Sequence, residues 1–305
     1  MAEHIALLDF GSNAVRFVHA HLSSRGVRVI DQSRVRARLA TGECGALSDD
    51  SIARSLHAAT LFLKRVERAK LRVLAVATAS VRDAPNAEAL VDKLPKLGVE
   101  ELRVLSGIEE AQLGAEAALR TRPLREGAVI DLGGGSLQWS SVRDGRLEDA
   151  RSMPLGAARL TREFLCHDPP EASELEALCA AAREHLQRGL PSVQPHGSLL
   201  VLGGTARALA RPSLRRALQG AEGRYGVALR LSELRRMRTR LAGLSVEERK
   251  ALPGMRPERA DIIVAGALVL EQLLEQTGYE VLTVCAASVR EGVLWREARR
   301  FTPFT

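Results

Sequence analysis

Residues Ala128-Val-Ile-Asp-Leu-Gly-Gly-Gly-Ser136 are the segment around which the rest of the chain can be understood. The short apolar run predicts a buried strand that ends in Asp131. The three glycines leave only backbone, so their turn can direct several N–H groups at one oxyanion. Because Asp131 would repel a bare phosphate, the pattern favours a divalent cation between the two. A glycine turn after a strand is also typical of a plain hairpin, so the motif needs further support.

A second copy of this pattern lies near the start of the chain. Ile5-Ala-Leu-Leu-Asp-Phe-Gly-Ser-Asn13 has the same layout, with an apolar strand, a terminal Asp9, and a turn that contains Gly11 and Ser12. One copy opens each half of the chain. We therefore expect a duplicated domain with two phosphate-binding hairpins that face one cleft.

Composition narrows the class of protein. A chain of 305 residues with 46% hydrophobic and 27% charged residues is typical of a globular protein of two domains. The formal net charge is +7, and it comes mostly from arginine. Either a compositional bias toward arginine or an anionic substrate accounts for this charge. With only 3% aromatic residues and no known nucleic-acid-binding motif, the sequence argues against nucleic acid as a partner.

Several other classes are excluded by pattern. No apolar run is long enough to span a membrane, residues 1–20 lack a signal-peptide layout, and no Walker P-loop is present. The histidines form no H-E-x-x-H motif and no close cluster with cysteine, which argues against zinc. The cysteines form no C-x-x-C pair and are expected to be reduced core residues of a cytoplasmic protein. They are Cys44, Cys166, Cys179 and Cys285.

Periodicity and turn residues predict the secondary structure of both halves. In the first half, strands are expected at 3–10, 14–22, 25–31, 71–78 and 101–105. Helices are expected after a cap at Ser48 or Asp49, at 87–94 and at 107–119. In the second half, strands are expected at 127–132, 137–143, 146–152, 199–202 and 281–285. Helices are expected at 258–276, closed by Gly278, and at 289–300. Asp144-Gly145 predicts a hairpin turn, Ser245 and Glu248 predict a capping box among short helices in 206–257, and residues 121–126 predict a linker.

Spacing separates two neighbouring carboxylates in Ser106-Gly-Ile-Glu-Glu110. With Ser106 as N-cap, Glu109 occupies the third helical position and completes a capping box. Glu110 points about 100° away around the helix and is not needed for the cap, which makes it a candidate general base. A solvent-exposed glutamate that favours the helix dipole is the other interpretation of Glu110.

A polar loop is expected after the strand that ends near Thr78. Ala79-Ser-Val-Arg-Asp-Ala-Pro-Asn86 carries Arg82 and Asp83, and ligands of open α/β sheets bind at the carboxyl ends of strands. Arg82 is therefore either a ligand contact or a surface arginine paired with Asp83.

Taken together, the motifs resemble the exopolyphosphatase/guanosine pentaphosphate phosphohydrolase (Ppx/GppA) family, in its short two-domain form. They occur in family order and cover nearly the whole chain. They are Asp9-Phe-Gly-Ser-Asn13 with Arg16, Ala77–Asn86, Ser106–Ala111, Asp131–Ser136, Gly156–Thr161, Glu258–Asp261 with Ala265–Ala267, and Arg290-Glu-Gly292.

The resemblance implies a fold of the actin-like superfamily, which also contains acetate and sugar kinases and Hsp70 and is related to ribonuclease H. We expect two duplicated α/β domains, at residues 1–122 and 123–288, with a ligand cleft between them. A C-terminal helix within 289–305 is expected to pack back on the first domain.

The resemblance also implies an enzyme, a phosphoanhydride hydrolase that uses Mg²⁺. Its substrate would be inorganic polyphosphate or guanosine pentaphosphate (pppGpp), and it would be cytoplasmic, with neither nucleic acid nor membrane as a partner and with a homodimer as an option. Glu110 matches the catalytic base of the family, and Asp131, together with Asp9, matches its metal-binding carboxylates. The implied phosphate contacts are Ser12, Asn13, Arg16, Arg82, Gly133, Gly134, Gly135, Ser136, Gly203, Gly204 and Thr205.

One position departs from the family pattern. Where the family usually has glutamate two residues after the serine of the glycine turn, this chain has Gln138. Gln138 keeps an acceptor oxygen but loses the charge, so Mg²⁺ affinity is expected to fall unless another carboxylate takes over. Three functions therefore stay open: exopolyphosphatase, pppGpp phosphohydrolase, and a weakly catalytic sensor of polyphosphate or of the alarmone pppGpp in the stringent response.

Overall fold

The computed structural model describes residues 2–39, 45–67, 71–192, 196–219 and 228–301. The chain divides into two compact units. Unit 1 comprises Met1–Leu113 and Val289–Thr305, and unit 2 comprises Gly114–Ser288. The division falls inside a helix, Gly107–Thr121, whereas the sequence suggested the segment around Pro123. The helix runs on through Gly114 to Thr121, so residues near Pro123 already follow a segment that belongs to unit 2.

Unit 1 is built on a five-stranded sheet with the strand order β3-β2-β1-β4-β5. Strands β1, β2 and β3 form an antiparallel meander, and β4 and β5 continue the sheet parallel to β1. The strands are β1 Ala2–Phe10, β2 Ala14–Ser23, β3 Gly26–Arg36, β4 Arg72–Ala77 and β5 Glu101–Val104.

The helices of unit 1 cover both faces of this sheet. They are α1 Asp49–Lys64, α2 Ala79–Arg82, α3 Glu88–Val91, the first part of α4 Gly107–Thr121, and α12 Val289–Ala298. Ser48 caps α1 as predicted, since its side chain accepts from the N–H of Ser51. Two expectations were wrong. The polar loop after β4 begins with the short helix α2, and the predicted helix 87–94 is a single turn, Glu88–Val91. Pro95 follows closely and opens a separate 3-10 turn, Pro95–Leu97.

Unit 2 is built on a six-stranded sheet with the order β10-β11-β9-β6-β7-β8. The strands are β6 Gly127–Leu132, β7 Leu137–Arg143, β8 Arg146–Met153, β9 Ser198–Leu202, β10 Ala228–Arg230 and β11 Val281–Val284. The hairpin turn between β7 and β8 is confirmed: Asp144 and Gly145 have φ values of 51° and 75°, as such a turn requires.

Helices α5 to α11 belong to unit 2. They are α5 Ala157–Phe164, α6 Ala172–Gly189, α7 Gly204–Leu209, α8 Pro212–Gln219, α9 Leu231–Ala242, α10 Val246–Ala251 and α11 Ile263–Thr277. The capping box of Ser245 and Glu248 is confirmed, as is the end of α11 at Gly278, which is left-handed. The apolar helix begins at Ile263 rather than at 258, because Pro257–Arg259 forms a 3-10 turn.

The two sheets repeat one topology, which confirms the predicted duplication. Strands β6, β7, β8, β9 and β11 have the same order and directions as β1 to β5, and β10 is an additional antiparallel edge strand. The first strand of each sheet is covered on both sides, since alternate residues of β1 and of β6 belong to different buried clusters. This double coverage explains why both strands are continuous apolar runs in the sequence.

Two further expectations concern the whole chain. Within the described ranges, none of the helices combines the length and hydropathy that crossing a membrane requires. Cys285 is buried as predicted, but Cys179 is half-buried and Cys166 is exposed, so the prediction of a core position was wrong for Cys166. Cys44 lies outside the described residues.

Candidate active site

In unit 1 the sheet places three segments of the predicted site at one edge. Strands β1, β4 and β5 run parallel, so their carboxyl ends meet at the same edge of the sheet. The backbone confirms this, since the N–H of Thr78 donates to Phe10 and the N–H of Leu105 donates to Ala77. The turn after β1, helix α2 and the start of α4 therefore share this edge.

The turn after β1 is tight and largely buried. The N–H of Gly11 donates to the carbonyl of Ala14 at 3.2 Å, which closes the turn. Ser12 and Asn13 are buried, and the carbonyl of Asn13 accepts from two N–H groups that follow β3. A β-carbon at Gly11 would lie 3.0 Å from Nη1 of Arg16, so the missing side chain makes room for that guanidinium.

Asp9 holds two arginines from distant parts of the sequence. Its Oδ2 accepts from Nη1 of Arg16 at 3.2 Å and from Nη1 of Arg290 at 3.1 Å. Arg16 is the cross-strand partner of Asp9 on β2, and Arg290 is the second residue of α12. The side chain of Asp9 is only 10% exposed, so both pairs are largely shielded from water. The three side chains together carry one negative and two positive formal charges.

Glu110 and Arg82 contact each other. Nη1 of Arg82 donates to Oε1 of Glu110 and to the carbonyl of Leu105, and its Nε donates to Asp83. The side chain of Glu110 is 7% exposed and that of Arg82 is 25% exposed. The expected pairing of Arg82 with Asp83 is thus present together with a contact to the candidate base. In this arrangement Arg82 fixes the orientation of the Glu110 carboxylate.

The start of α4 is fixed by the predicted capping box. The N–H of Glu109 donates to Oγ of Ser106, and the N–H of Ser106 donates to the carboxylate of Glu109. Hydrogen bonds from Ser106 hold the pKa of Glu109 below its usual value. Glu109 is exposed and Glu110 is buried, so the other interpretation of Glu110, a solvent-exposed glutamate, was wrong.

In unit 2 the glycine turn after β6 is held by helix α5. The carbonyl of Gly133 accepts from the N–H of Ala157, and the carbonyl of Gly134 accepts from the next two N–H groups of the helix. Nε of Arg159 donates to the carbonyl of Gly135. A β-carbon at Gly156 would lie 2.2 Å from the backbone of Gly135, so the helix can approach only because residue 156 is glycine.

Asp131 and Gln138 lie side by side next to this turn. They are direct cross-strand partners in β6 and β7. Gln138 is 3% exposed, and its Nε2 donates to Oγ of Ser136 at 2.6 Å and to Oγ of Ser152 at 3.3 Å. The amide therefore fixes the serine hydroxyl that ends the glycine turn.

A second glycine turn joins β9 to α7 beside Asp131. Gly203 has a φ of +102°, and a β-carbon there would lie 2.3 Å from the carbonyl oxygen of Leu132 and 3.2 Å from Oδ1 of Asp131. Residue 203 must therefore be glycine. Thr205 follows at the start of α7 and is 1% exposed.

Arg259 lies against this second turn. A β-carbon at Gly204 would lie 2.2 Å from a nitrogen of its guanidinium. The segment that carries Arg259 is fixed by Arg249, which is 1% exposed and donates to the carbonyls of Leu241 and Ala260. Burial lowers the pKa of the Arg249 guanidinium.

Each unit also contains a buried hydroxyl that finds no hydrogen-bond partner in the described part of the chain. These are Oγ of Ser80 and Oγ1 of Thr205. Ser80 is the third residue after β4, and Thr205 is the third residue after β9, which occupies the same place in the duplicated topology. Buried polar groups are usually satisfied, so two equivalent exceptions favour ligand-binding positions.

The described residues contain no group of three or more His, Cys, Asp and Glu side chains arranged to hold a metal ion. Mg²⁺ does not need such a group, because it usually retains waters and is bound by one or two carboxylates together with substrate phosphates. Asp131, beside two backbone turns, fits this kind of site. Asp9 fits it less well, because two guanidinium groups share its Oδ2.

Comparison with known proteins identifies the family. A sequence profile described as the Ppx/GppA phosphatase family matches residues 19–301. The chain belongs to this family. Exopolyphosphatase 1 of Mycobacterium leprae is 32% identical to it over 313 residues, which cover 96% of this chain and 89% of the relative. Exopolyphosphatase 2 of Mycobacterium tuberculosis is 30% identical, with 95% and 97% of the two chains covered. The Ppx/GppA chain is therefore an enzyme of the phosphatase type.

Solved structures support the same assignment. The Ppx/GppA family member of Aquifex aeolicus superposes with a TM-score of 0.78 at 26% identity, covering 98% of this chain and 99% of the other. An exopolyphosphatase from Cytophaga hutchinsonii superposes with a TM-score of 0.85 at 22% identity and 98% coverage of both chains, which shows a shared fold. The duplicated α/β fold implied by the sequence motifs is confirmed, and it is the fold of Ppx/GppA proteins.

The predicted site residues fall into two groups, one in each unit. Unit 1 carries Asp9, Ser12, Asn13, Arg16, Arg82 and Glu110 at one sheet edge. Unit 2 carries Asp131, Gly133, Gly134, Gly135, Ser136, Gly203, Gly204 and Thr205 around the ends of β6 and β9. Three arginines that contact these groups, Arg159, Arg259 and Arg290, had received no individual role, although each lies in one of the quoted family motifs.

Proposed function

We propose that this chain is an exopolyphosphatase that removes the terminal phosphate of inorganic polyphosphate by attack of water. The observation that carries the proposal is the contact between Glu110 and Arg82 at the strand edge of unit 1, in a chain whose relatives are named exopolyphosphatases. A buried carboxylate whose orientation is fixed by an arginine is suited to orienting a water molecule.

Glu110 has the role of general base in this proposal. Transfer of a phosphoryl group to water requires an aligned water molecule and donors for the three equatorial oxygens. The ion pair with Arg82 restricts rotation of the Glu110 carboxylate, and the capping box fixes the helix that carries it. Nη2 of Arg82 is not used in the contacts to Glu110, Leu105 and Asp83, so it is the donor that can reach a phosphate oxygen.

Backbone groups have the role of binding phosphate. The carbonyls of Gly133, Gly134 and Gly135 are engaged by α5, and the N–H of Gly133 donates to the carbonyl of Ser136 within the turn. The N–H groups of Gly134 and Gly135 are therefore what this turn offers to a ligand. The turn of Gly203 and Gly204, with the hydroxyl of Thr205, supplies a second set of donors in unit 2. Ser12 and Asn13 supply the corresponding groups in unit 1. Such backbone nests bind anions without side-chain charge.

We propose Mg²⁺ as the cofactor and Asp131 as its protein ligand, completed by water and substrate oxygens. When bound, the ion neutralises the negative charge of the phosphate oxygens. The residues of the chain then orient the phosphate and the water.

Phosphate release from inorganic polyphosphate in the presence of MgCl₂ tests the proposal. We expect release by the wild-type chain, and a decrease of about 10² to 10⁴-fold in Glu110→Gln, the usual contribution of a general base. Glu109→Gln is the matched control, because glutamine also completes a capping box and rates should stay near wild type. Undiminished release by Glu110→Gln would remove the base assignment, and no release by the wild type would refute the function.

Guanosine pentaphosphate is the alternative substrate, because the family description names GppA beside Ppx. A side-by-side comparison of kcat/KM on polyphosphate and pppGpp decides between them. The neutral Gln138 favours a third possibility, a sensor that binds without turnover. Tight binding of polyphosphate in calorimetry with no phosphate release would identify it.

A further inference from the structure

The contact between Asp9 and Arg290 assigns a role to a residue from the far end of the chain. We propose that Arg290 binds a phosphate group of the substrate next to Arg16, and that Asp9 is the residue that holds the two guanidinium groups side by side. This inference rests on the proposed function, because it names a further residue that recognises the polyanion.

The first argument is the unused hydrogen-bonding capacity of the pair. Each arginine donates one Nη1 bond to Oδ2 of Asp9. Among the described residues neither has another hydrogen-bonded or ion-paired partner, so the remaining N–H groups of both are open to a ligand. A guanidinium presents five donors in a rigid fork that suits phosphate oxygens.

The second argument is charge. The trio of Asp9, Arg16 and Arg290 carries a net positive charge in a largely shielded place, since the three side chains are 10%, 24% and 14% exposed. An anion would balance this charge. The backbone turn of Gly11 to Asn13 lies directly beside it, because a β-carbon at Gly11 would contact the guanidinium of Arg16.

The third argument is the placement of Arg290. It lies in the first turn of α12, whose Val293 and Leu294 are buried in the same cluster as Ile5 and Leu7 of β1. Asp9 continues this row, because residues 5, 7 and 9 share one face of the strand. Packing of α12 therefore fixes the backbone of Arg290, and the hydrogen bond to Asp9 then holds its guanidinium.

Calorimetric binding of inorganic polyphosphate to the full-length chain tests this role. We expect the dissociation constant to rise about 10 to 100-fold in Arg290→Gln, which corresponds to one or two charged hydrogen bonds. Arg290→Lys keeps the charge and should recover part of the loss. Arg28→Gln removes an exposed positive charge from β3 of the same unit and should stay close to wild type.

Two further readouts separate binding from a structural role. The slope of log Kd against log salt concentration should decrease by about one ion in Arg290→Gln, as expected when one contact to a polyanion is lost. In an Asp9→Asn background, Arg290→Gln should have a smaller effect, because the two residues act as a pair. A lower Tm with an unchanged Kd and an unchanged salt slope would show that Arg290 only anchors α12, and would overturn the inference.

The result can be separated from the proposed function. Binding without phosphate release by the wild-type chain would refute the exopolyphosphatase proposal, and the Kd of Arg290→Gln would still support or overturn the inference. Release by the wild type with equal Kd values for wild type and Arg290→Gln would overturn the inference alone. Absence of binding by the wild type would overturn both.

Discussion

The neutral residue opposite Asp131 allows a quantitative test of the metal site. Gln138→Glu would place a second carboxylate at a position that is 3% exposed and directly paired with Asp131 across β6 and β7. Directly paired residues have β-carbons about 5 Å apart, and two like charges at that distance repel by about 3 kcal/mol at an effective dielectric constant of about 20. The hydroxyls of Ser136 and Ser152 can rotate to donate to the new carboxylate, so loss of hydrogen bonds adds little.

This repulsion should be visible as metal-dependent stability. In the absence of divalent ions we expect the Tm of the Gln138→Glu variant to be about 6 to 12 °C lower than wild type, using 2 to 4 °C per kcal/mol for a unit of this size. Mg²⁺ bound between the two carboxylates should restore most of the difference, while the Tm of the wild type should respond less.

Thermal unfolding in EDTA and in MgCl₂ measures both effects, and phosphate release as a function of Mg²⁺ concentration measures their catalytic consequence. Gln187→Glu adds the same charge on the exposed side of α6 and serves as the control. If Gln138→Glu unfolds at the temperature of this control in EDTA, or if Mg²⁺ restores nothing, residue 138 does not face a metal site and the assignment of Asp131 loses its support.

Three further predictions concern stability. Gly203→Ala should lower the free energy of unfolding by about 2 kcal/mol because of the positive φ, and by more because of the clash with Leu132. Chemical denaturation should therefore show a lower midpoint, and an unchanged midpoint would show that residue 203 need not be glycine. Ser106→Ala should lower the free energy of unfolding by about 1 kcal/mol at pH 7, because it removes the cap of α4. The effect should be smaller below pH 4.5: hydrogen bonds from Ser106 lower the pKa of Glu109 in the folded chain, and the stability they contribute is lost as the pH falls through that lowered pKa. An equal effect at pH 3 and pH 7 would contradict this. Glu297→Gln should lower the free energy of unfolding by about 3 kcal/mol, because its 3% exposed carboxylate is paired with Arg72, Arg103 and Arg300. An effect below 1 kcal/mol would show that these ion pairs contribute little.

Most of the fold and part of the candidate site could be predicted from short segments of the sequence. Both glycine turns, the separation of Glu109 from Glu110, and the turn at Asp144 and Gly145 could be predicted because each is specified within a few residues. The duplication could be predicted because β1 and β6 repeat the same order of apolar, acidic and glycine residues.

Contacts between distant segments could not be predicted. Asp9 was expected to bind metal, and nothing within its own strand indicates that Arg290 reaches it from α12. In the same way, the guanidinium of Arg259 lies against Gly204 because the fold places the 3-10 turn before α11 next to the start of α7. The loop expected at residues 79–86 begins with one helical turn, Ala79–Arg82, because its first three residues are buried, an environment that the polar sequence does not indicate.

The chain order of the two units has a consequence for biosynthesis. Unit 2 is one uninterrupted segment, whereas unit 1 takes α12 from the end of the chain. During synthesis on the ribosome, all of unit 2 is therefore available before α12, the last helix of unit 1, has been made. Products truncated before residue 289 would keep all of the second unit but lose the α12 side chains that cover Ile5 and Leu7 of β1, and protein quality control would encounter that partly exposed apolar face.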